Sequence, residues 1–129
     1  MTENKRILVV EDDELLRETL VAELIEQGYE VRTAASGNEA IPITYGVELD
    51  LIILDIKMPY IDGFEVLKFV KGTFPLTKVI VLTAYADLTN IEKCKKLGAD
   101  EVIGKPYDLG YLFDIIQTLM KHNPLPNNR

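Results

Sequence analysis

The chain is poor in the residues that build several common kinds of site. Among its 129 residues there is one cysteine, Cys94, and one histidine, His122. A lone cysteine excludes an internal disulfide framework and any multi-cysteine metal centre. Without sulfur or imidazole clusters, zinc and copper are disfavoured too. No uninterrupted apolar run exceeds four residues, far short of the ~18–20 that a membrane-crossing helix needs. Positive charge is scarce: 14 Lys and Arg stand against 21 Asp and Glu, a formal net charge of −7. So acidic a chain repels nucleic acid and anionic membrane unless it concentrates a basic patch, and none is visible. The opening Met1-Thr2-Glu3-Asn4-Lys5-Arg6 leads straight into a strand-like run and has no signal-peptide core. The expectation is a cytoplasmic protein with no direct nucleic-acid partner and no membrane contact.

What is present reads as one packed unit over residues 1–122, with 123–129 as a flexible tail broken by Pro124 and Pro126. A chain of this length buries about two-thirds of its unfolded surface, enough for a core without staples. Three short apolar runs stand out: Ile7-Leu8-Val9-Val10, Leu51-Ile52-Ile53-Leu54 and Val79-Ile80-Val81-Leu82. Rich in β-branched residues and closed by polar ones, they predict strands buried on both faces. Weaker strands are expected at Tyr29–Ala34, whose alternation places it at an edge, and at Glu101–Gly104. Between them lie helical stripes. The first carries Leu15, Leu16, Leu20, Leu24 and Ile25 and ends at Gly28. Ser36 and Glu39 have capping-box spacing, with Pro42 expected to kink or end that second helix. Asp62 is expected to cap a third helix bearing Phe64, Val66, Leu67, Phe69 and Val70. A fourth carries Leu88, Ile91, Cys94 and Leu97 and stops at Gly98, with Cys94 serving as packing. Asp108 caps a fifth bearing Leu109, Leu112, Phe113, Ile116, Leu119 and Met120. Strand and helix thus alternate five times, the pattern of a parallel sheet wrapped by right-handed crossovers. For five strands this predicts an α/β, flavodoxin-like, doubly wound sheet in the order 2-1-3-4-5.

Open parallel sheets bind ligands beyond the carboxyl ends of their strands, where strand order reverses. Glu11-Asp12-Asp13 follow the first strand, Asp55 the third, Thr83 closes the fourth, and Lys105-Pro106 follow the fifth. The fold therefore gathers two or three carboxylates, a hydroxyl and an ammonium in one crevice. Two carboxylates 4 Å apart repel by about 4 kcal/mol at an effective dielectric of ~20. A hard divalent cation offsets that, and Mg²⁺, with Mn²⁺ as the alternative, suits oxygen ligands. Asp55, at the end of the central strand, is then the candidate nucleophile toward phosphorus. Lys105 and Thr83 would stabilise the phosphoryl oxygens. Acids at strand ends can also merely cap helices, which accounts for one such residue better than for five together.

Ile7 to Asp13, Leu54-Asp55-Ile56-Lys57-Met58-Pro59 with Asp62-Gly63, Leu82-Thr83-Ala84, and Lys105-Pro106 together resemble the receiver domain of two-component response regulators. The likeness runs from about residue 5 to residue 121, and single-domain receivers of the sporulation-phosphorelay and chemotaxis type look nearest. The resemblance implies a non-enzymatic signalling domain in which Asp55 is the phosphoacceptor. By the same likeness, Glu11 and Asp12 hold Mg²⁺ together with Asp55 and the backbone carbonyl of Lys57. Asp13 starts the first helix. Thr83 is the switch hydroxyl and Lys105 the site lysine, with Ala84, Tyr85, Val102 and Pro106 as neighbouring switch positions. Phosphate would come from a sensor histidine kinase or a histidine phosphotransfer protein docking near the first helix.

Two departures stand out. Val102 occupies a position often aromatic in receivers, so activation is expected to depend on Thr83 and loop movement rather than on ring burial. Pro42 is unusual in the second helix. Lys57 and Tyr85, two past Asp55 and two past Thr83, are bulky and poor at orienting water, which predicts slow loss of the phosphoryl group unless both side chains point to solvent. Tyr111 and Ile115 are expected to form an exposed apolar pair near Lys93, Lys95 and Lys96. This would make the face of the fourth helix, fifth strand and fifth helix the surface for a downstream protein, on a monomer or weak dimer. Gly98 to Lys105 is a false P-loop, since Pro106 stands where a metal-binding hydroxyl belongs. The acidic turn after the first strand also lacks a dinucleotide or flavin phosphate loop. A phosphorylation-independent binding module and an aspartyl-phosphate phosphohydrolase remain as alternatives.

Overall fold

The computed structural model describes residues 4–56 and 63–121. Five strands alternate with five helices: β1 (Arg6–Val10), α1 (Glu14–Glu26), β2 (Glu30–Ala34), α2 (Gly37–Gly46), β3 (Leu51–Leu54), α3 (Gly63–Thr73), β4 (Lys78–Thr83), α4 (Leu88–Lys96), β5 (Glu101–Gly104) and α5 (Leu109–Lys121). The strands pair in parallel in the order β2-β1-β3-β4-β5. β2 lies at an edge, as its alternation predicts.

Period-two geometry sends successive strand residues to opposite faces. Leu8, Val10, Ile52, Leu54, Val79 and Val81 join one core with Ala40, Val66, Leu67, Val70 and Cys94 from α2, α3 and α4. Ile7, Val9, Leu51, Ile53, Ile80 and Leu82 join the other with Leu20 and Leu24 of α1 and Leu112 and Ile116 of α5. Both faces are covered, which is why the central strands are continuous apolar runs. Cys94 is fully buried, as its stripe position implies.

Local signals set the helix ends. Asp13 caps α1 by accepting from Leu16 N. Ser36 Oγ accepts from Glu39 N, while Glu39 Oε1 reaches back to Ala35 N, a capping box displaced by one residue. Asp108 accepts from Tyr111 N at the start of α5. Gly28 and Gly98 take positive φ after α1 and α4. The expected cap at Asp62, the Lys57 carbonyl, His122 and the tail lie outside the described residues.

Four expectations need correction. The predicted α1 stripe buries only Leu20 and Leu24, whereas Leu15 is 73% and Ile25 56% exposed, with Leu16 also exposed. Leu15 and Ile25 each stand five residues from Leu20, about 140° round the helix and so on its outer face, while Leu16 shares the Leu20 side and is still exposed. Leu88, six residues before Cys94 and about 120° round α4 from it, is 71% exposed. Of the two outcomes expected at Pro42 the early end does not occur: α2 runs on to Gly46, with Thr44 buried and its hydroxyl donating to the Ile41 carbonyl. Tyr111 is exposed, but Ile115 packs against the α1/α5 core, so the two do not form an exposed pair.

Candidate functional site

The parallel register builds the site. Val10 pairs with Leu54, so Glu11 and Asp55 leave neighbouring strands at the same level. The ladders continue one residue further: Asp55 N donates to Val10 O, Glu11 N to Ala34 O, and Lys105 N to Thr83 O. Glu11, Asp55 and Lys105 are thereby anchored by their backbone to the adjacent strand. Glu11, Asp55 and Thr83 are all buried, with Thr83 wholly inaccessible, while Asp12 is exposed. The Lys105–Pro106 peptide bond is cis.

Carboxylate oxygens of Glu11, Asp12 and Asp55 lie within 4.8 Å of one another. Lys105 Nζ stands 2.5 Å from Glu11 Oε1 and 3.2 Å from Asp55 Oδ2. Burial raises the Glu11 carboxyl above its usual 4.5, and the Asp55 charge adds to this, against the opposing pull of Lys105 and of the Asp13 N–H. For Lys105, burial alone would favour the neutral amine. The bond to Glu11 and the charges of Asp55 and Glu11 outweigh it, and the ammonium is held above 10.5. One cation against three acids leaves an excess of negative charge facing solvent at Asp12. An all-oxygen donor set of this kind fits a hard divalent cation and offers nothing to a soft one.

The remaining candidate positions lie on β4 and β5 and in the loop after β4. Thr83 Oγ1 accepts from Tyr85 N at 3.1 Å, and the Tyr85 carbonyl accepts from Asn90 Nδ2 at 2.8 Å, linking the hydroxyl to the first turn of α4. Ala84 and Tyr85 are exposed in the loop after β4. Val102 is half-buried against the α2/α3/α4 core. Sequence reasoning missed Asn90, and it missed Arg17, whose Nη1 donates to the Glu11 carbonyl at 2.8 Å. A polar residue on the outer face of a helix gives no sign of which backbone oxygen it will meet. Gly63 also has a steric duty: a Cβ there would lie 2.3 Å from Ile56 Cα, next to Asp55.

Known proteins resemble this chain in sequence and fold. Residues 7–117 match the response regulator receiver domain. Sporulation initiation phosphotransferase F of Bacillus subtilis is 36% identical over 125 residues, covering 97% of this chain and 98% of the relative. The crystal structure of a CheY-like response regulator receiver domain protein from Methanospirillum hungatei superposes with a TM-score of 0.91 at 32% identity, covering 94% of this chain and 97% of that one. The response regulator TrrA from Thermotoga maritima, solved in complex with Mg²⁺-BeF, gives a TM-score of 0.79 at 39% identity, covering 89% and 98%. The chain belongs to the receiver domain family of response regulators. Among the described residues, no helix is long and apolar enough to cross a membrane.

Proposed function

We propose that this receiver accepts a phosphoryl group on Asp55 from a phosphohistidine donor and that the acyl phosphate changes which proteins it binds. The observation that carries the reading is the convergence of Asp55, Glu11, Asp12 and Lys105 in one crevice. An Asp55 carboxylate oxygen attacks phosphorus. The new O–P bond forms as the P–N bond breaks, and its electron pair leaves with the donor imidazole. Lys105 holds Asp55 in place and meets the phosphoryl charge, and Thr83 donates its hydroxyl proton to a phosphoryl oxygen. Glu11, Asp12 and Asp55, with the Lys57 carbonyl as a further ligand, would hold Mg²⁺, or Mn²⁺ in its place. That ion would neutralise the acids and polarise the phosphoryl group.

Leu15 and Leu16 are exposed on the first turn of α1, beside the crevice. This supports docking of a histidine kinase or histidine phosphotransfer protein there. Tyr111, exposed on α5, and Lys93, Lys95 and Lys96 on α4 support the α4–β5–α5 face as the surface for a downstream protein. Labelling with acetyl phosphate and Mg²⁺, compared with Asp55→Asn, tests the proposal. Stable labelling that the substitution abolishes is expected. Rapid turnover would mean a phosphohydrolase, and no labelling would mean a phosphorylation-independent binding module.

A further inference from the structure

The peptide that carries Asp12 is held by a residue outside the chemistry described so far. Arg17 is the fourth residue of α1, and its own N–H bonds the Asp13 carbonyl at 2.9 Å. Its side chain runs back toward the helix N-terminus, where Nη1 donates to the Glu11 carbonyl at 2.8 Å. That carbonyl and the Asp12 N–H belong to one planar unit. Fixing the oxygen therefore fixes the Asp12 Cα and the N–Cα bond about which its side chain is set. The rest of Glu11 is already committed: its N–H to Ala34 O, Oε1 to Lys105 and Oε2 to Asp13 N.

We propose that Arg17 is a positioning residue for the metal end of the site, keeping the Asp12 carboxylate within reach of Glu11 and Asp55. The proposal rests on the reading of those three acids as metal-binding. Two effects of the arginine on a divalent ion have opposite signs. As a charge near three carboxylates, Arg17 repels the ion, and removing it would tighten binding. As a clamp, it spares the site the cost of ordering Asp12 when the ion arrives, and removing it weakens binding. Arg17 is half-buried and its charge partly screened, whereas its planar fork fixes a hydrogen bond with little loss of freedom. The clamp therefore dominates.

Arg17→Met keeps the aliphatic stem and a good helix former while deleting the donor. Mn²⁺ binding is measured by electron paramagnetic resonance for the unsubstituted chain, Arg17→Met and Arg17→Lys at one ionic strength. Amide spectra of the metal-free proteins are recorded alongside. The expected result is a Kd weakened about five-fold in Arg17→Met, the size of one net hydrogen bond. Partial recovery is expected in Arg17→Lys, with spectral changes confined to the loop after β1 and the start of α1. Unchanged or tighter Mn²⁺ binding in Arg17→Met overturns the proposal, as does a spectrum perturbed throughout the fold. Failure of the unsubstituted chain to bind Mn²⁺ overturns instead the metal reading beneath it.

Discussion

Lys105 Nζ bridges Glu11 Oε1 at 2.5 Å and Asp55 Oδ2 at 3.2 Å, joining the ends of two neighbouring strands to the residue that follows a third. All three side chains are largely withdrawn from water. Removing one partner of such a set strands the others, a general cost of about 3 kcal/mol. Lys105→Met is therefore expected to lose about that much stability in metal-free buffer and to recover part of it with saturating Mg²⁺. It should bind Mg²⁺ more tightly while accepting phosphate more slowly. Urea unfolding with and without Mg²⁺ checks this, and a metal-free stability equal to that of the unsubstituted chain would show that the bridge contributes nothing.

Acid and alkali should act on this cluster in different windows. Lys105 is held above 10.5, so above that pH the folded chain binds more protons than the unfolded chain. Its contribution is complete below 10.5 and is lost as pH rises through the folded value. Glu11, raised mainly by burial, also keeps its proton longer when folded, and its contribution falls as pH rises from 4.5 through its folded value. In metal-free unfolding series, the advantage over Lys105→Met should vanish in strong alkali. Just above pH 4.5 the unsubstituted chain should lose stability more steeply than Glu11→Gln. Parallel curves for Glu11→Gln and the unsubstituted chain would contradict the assignment to Glu11.

Gly63 N donates to the Ile56 carbonyl, closing the segment that follows Asp55. Because an added Cβ would sit 2.3 Å from Ile56 Cα, Gly63→Ala must push α3 away from the strand end. Overpacking of this kind costs about 1–3 kcal/mol. Acetyl phosphate labelling of Asp55 should fall with it, whereas Gly72→Ala, where a Cβ meets nothing within 4 Å, should leave labelling intact. Equal labelling in both variants would separate Gly63 from the site.

The acyl phosphate should be long-lived. Tyr85 is exposed beside Thr83, and Lys57, outside the described residues, lies two positions past Asp55. Neither side chain orients water well, so Lys57→Asn should shorten the lifetime several-fold. An unchanged decay rate would remove the steric explanation.

Activation should be read at Thr83 and the loop after β4 rather than at an aromatic ring, because Val102 is already packed against the core. Amide spectra with a beryllofluoride mimic should shift at Thr83, Ala84, Tyr85 and Asn90. An absence of change there would contradict a switch routed through the hydroxyl.

The strands, their parallel order and the polar residues at their ends were legible in the sequence because burial on both faces leaves unbroken apolar runs and a parallel sheet gathers its carboxyl ends on one side. Helical periodicity was less informative for α1 and α4. Residues spaced by five or six, as Leu15 and Ile25 are from Leu20 and Leu88 is from Cys94, turn away from the buried face, and even Leu16, four before Leu20, is exposed. The sequence by itself therefore determined the fold class and which acids and amine meet. Only the tertiary structure decided that Lys105 spans both Glu11 and Asp55, that Arg17 holds the Glu11 carbonyl, and that Asn90 tethers the loop bearing Tyr85. Those contacts depend on register and side-chain reach between elements distant along the chain or facing across a turn, which no local pattern encodes.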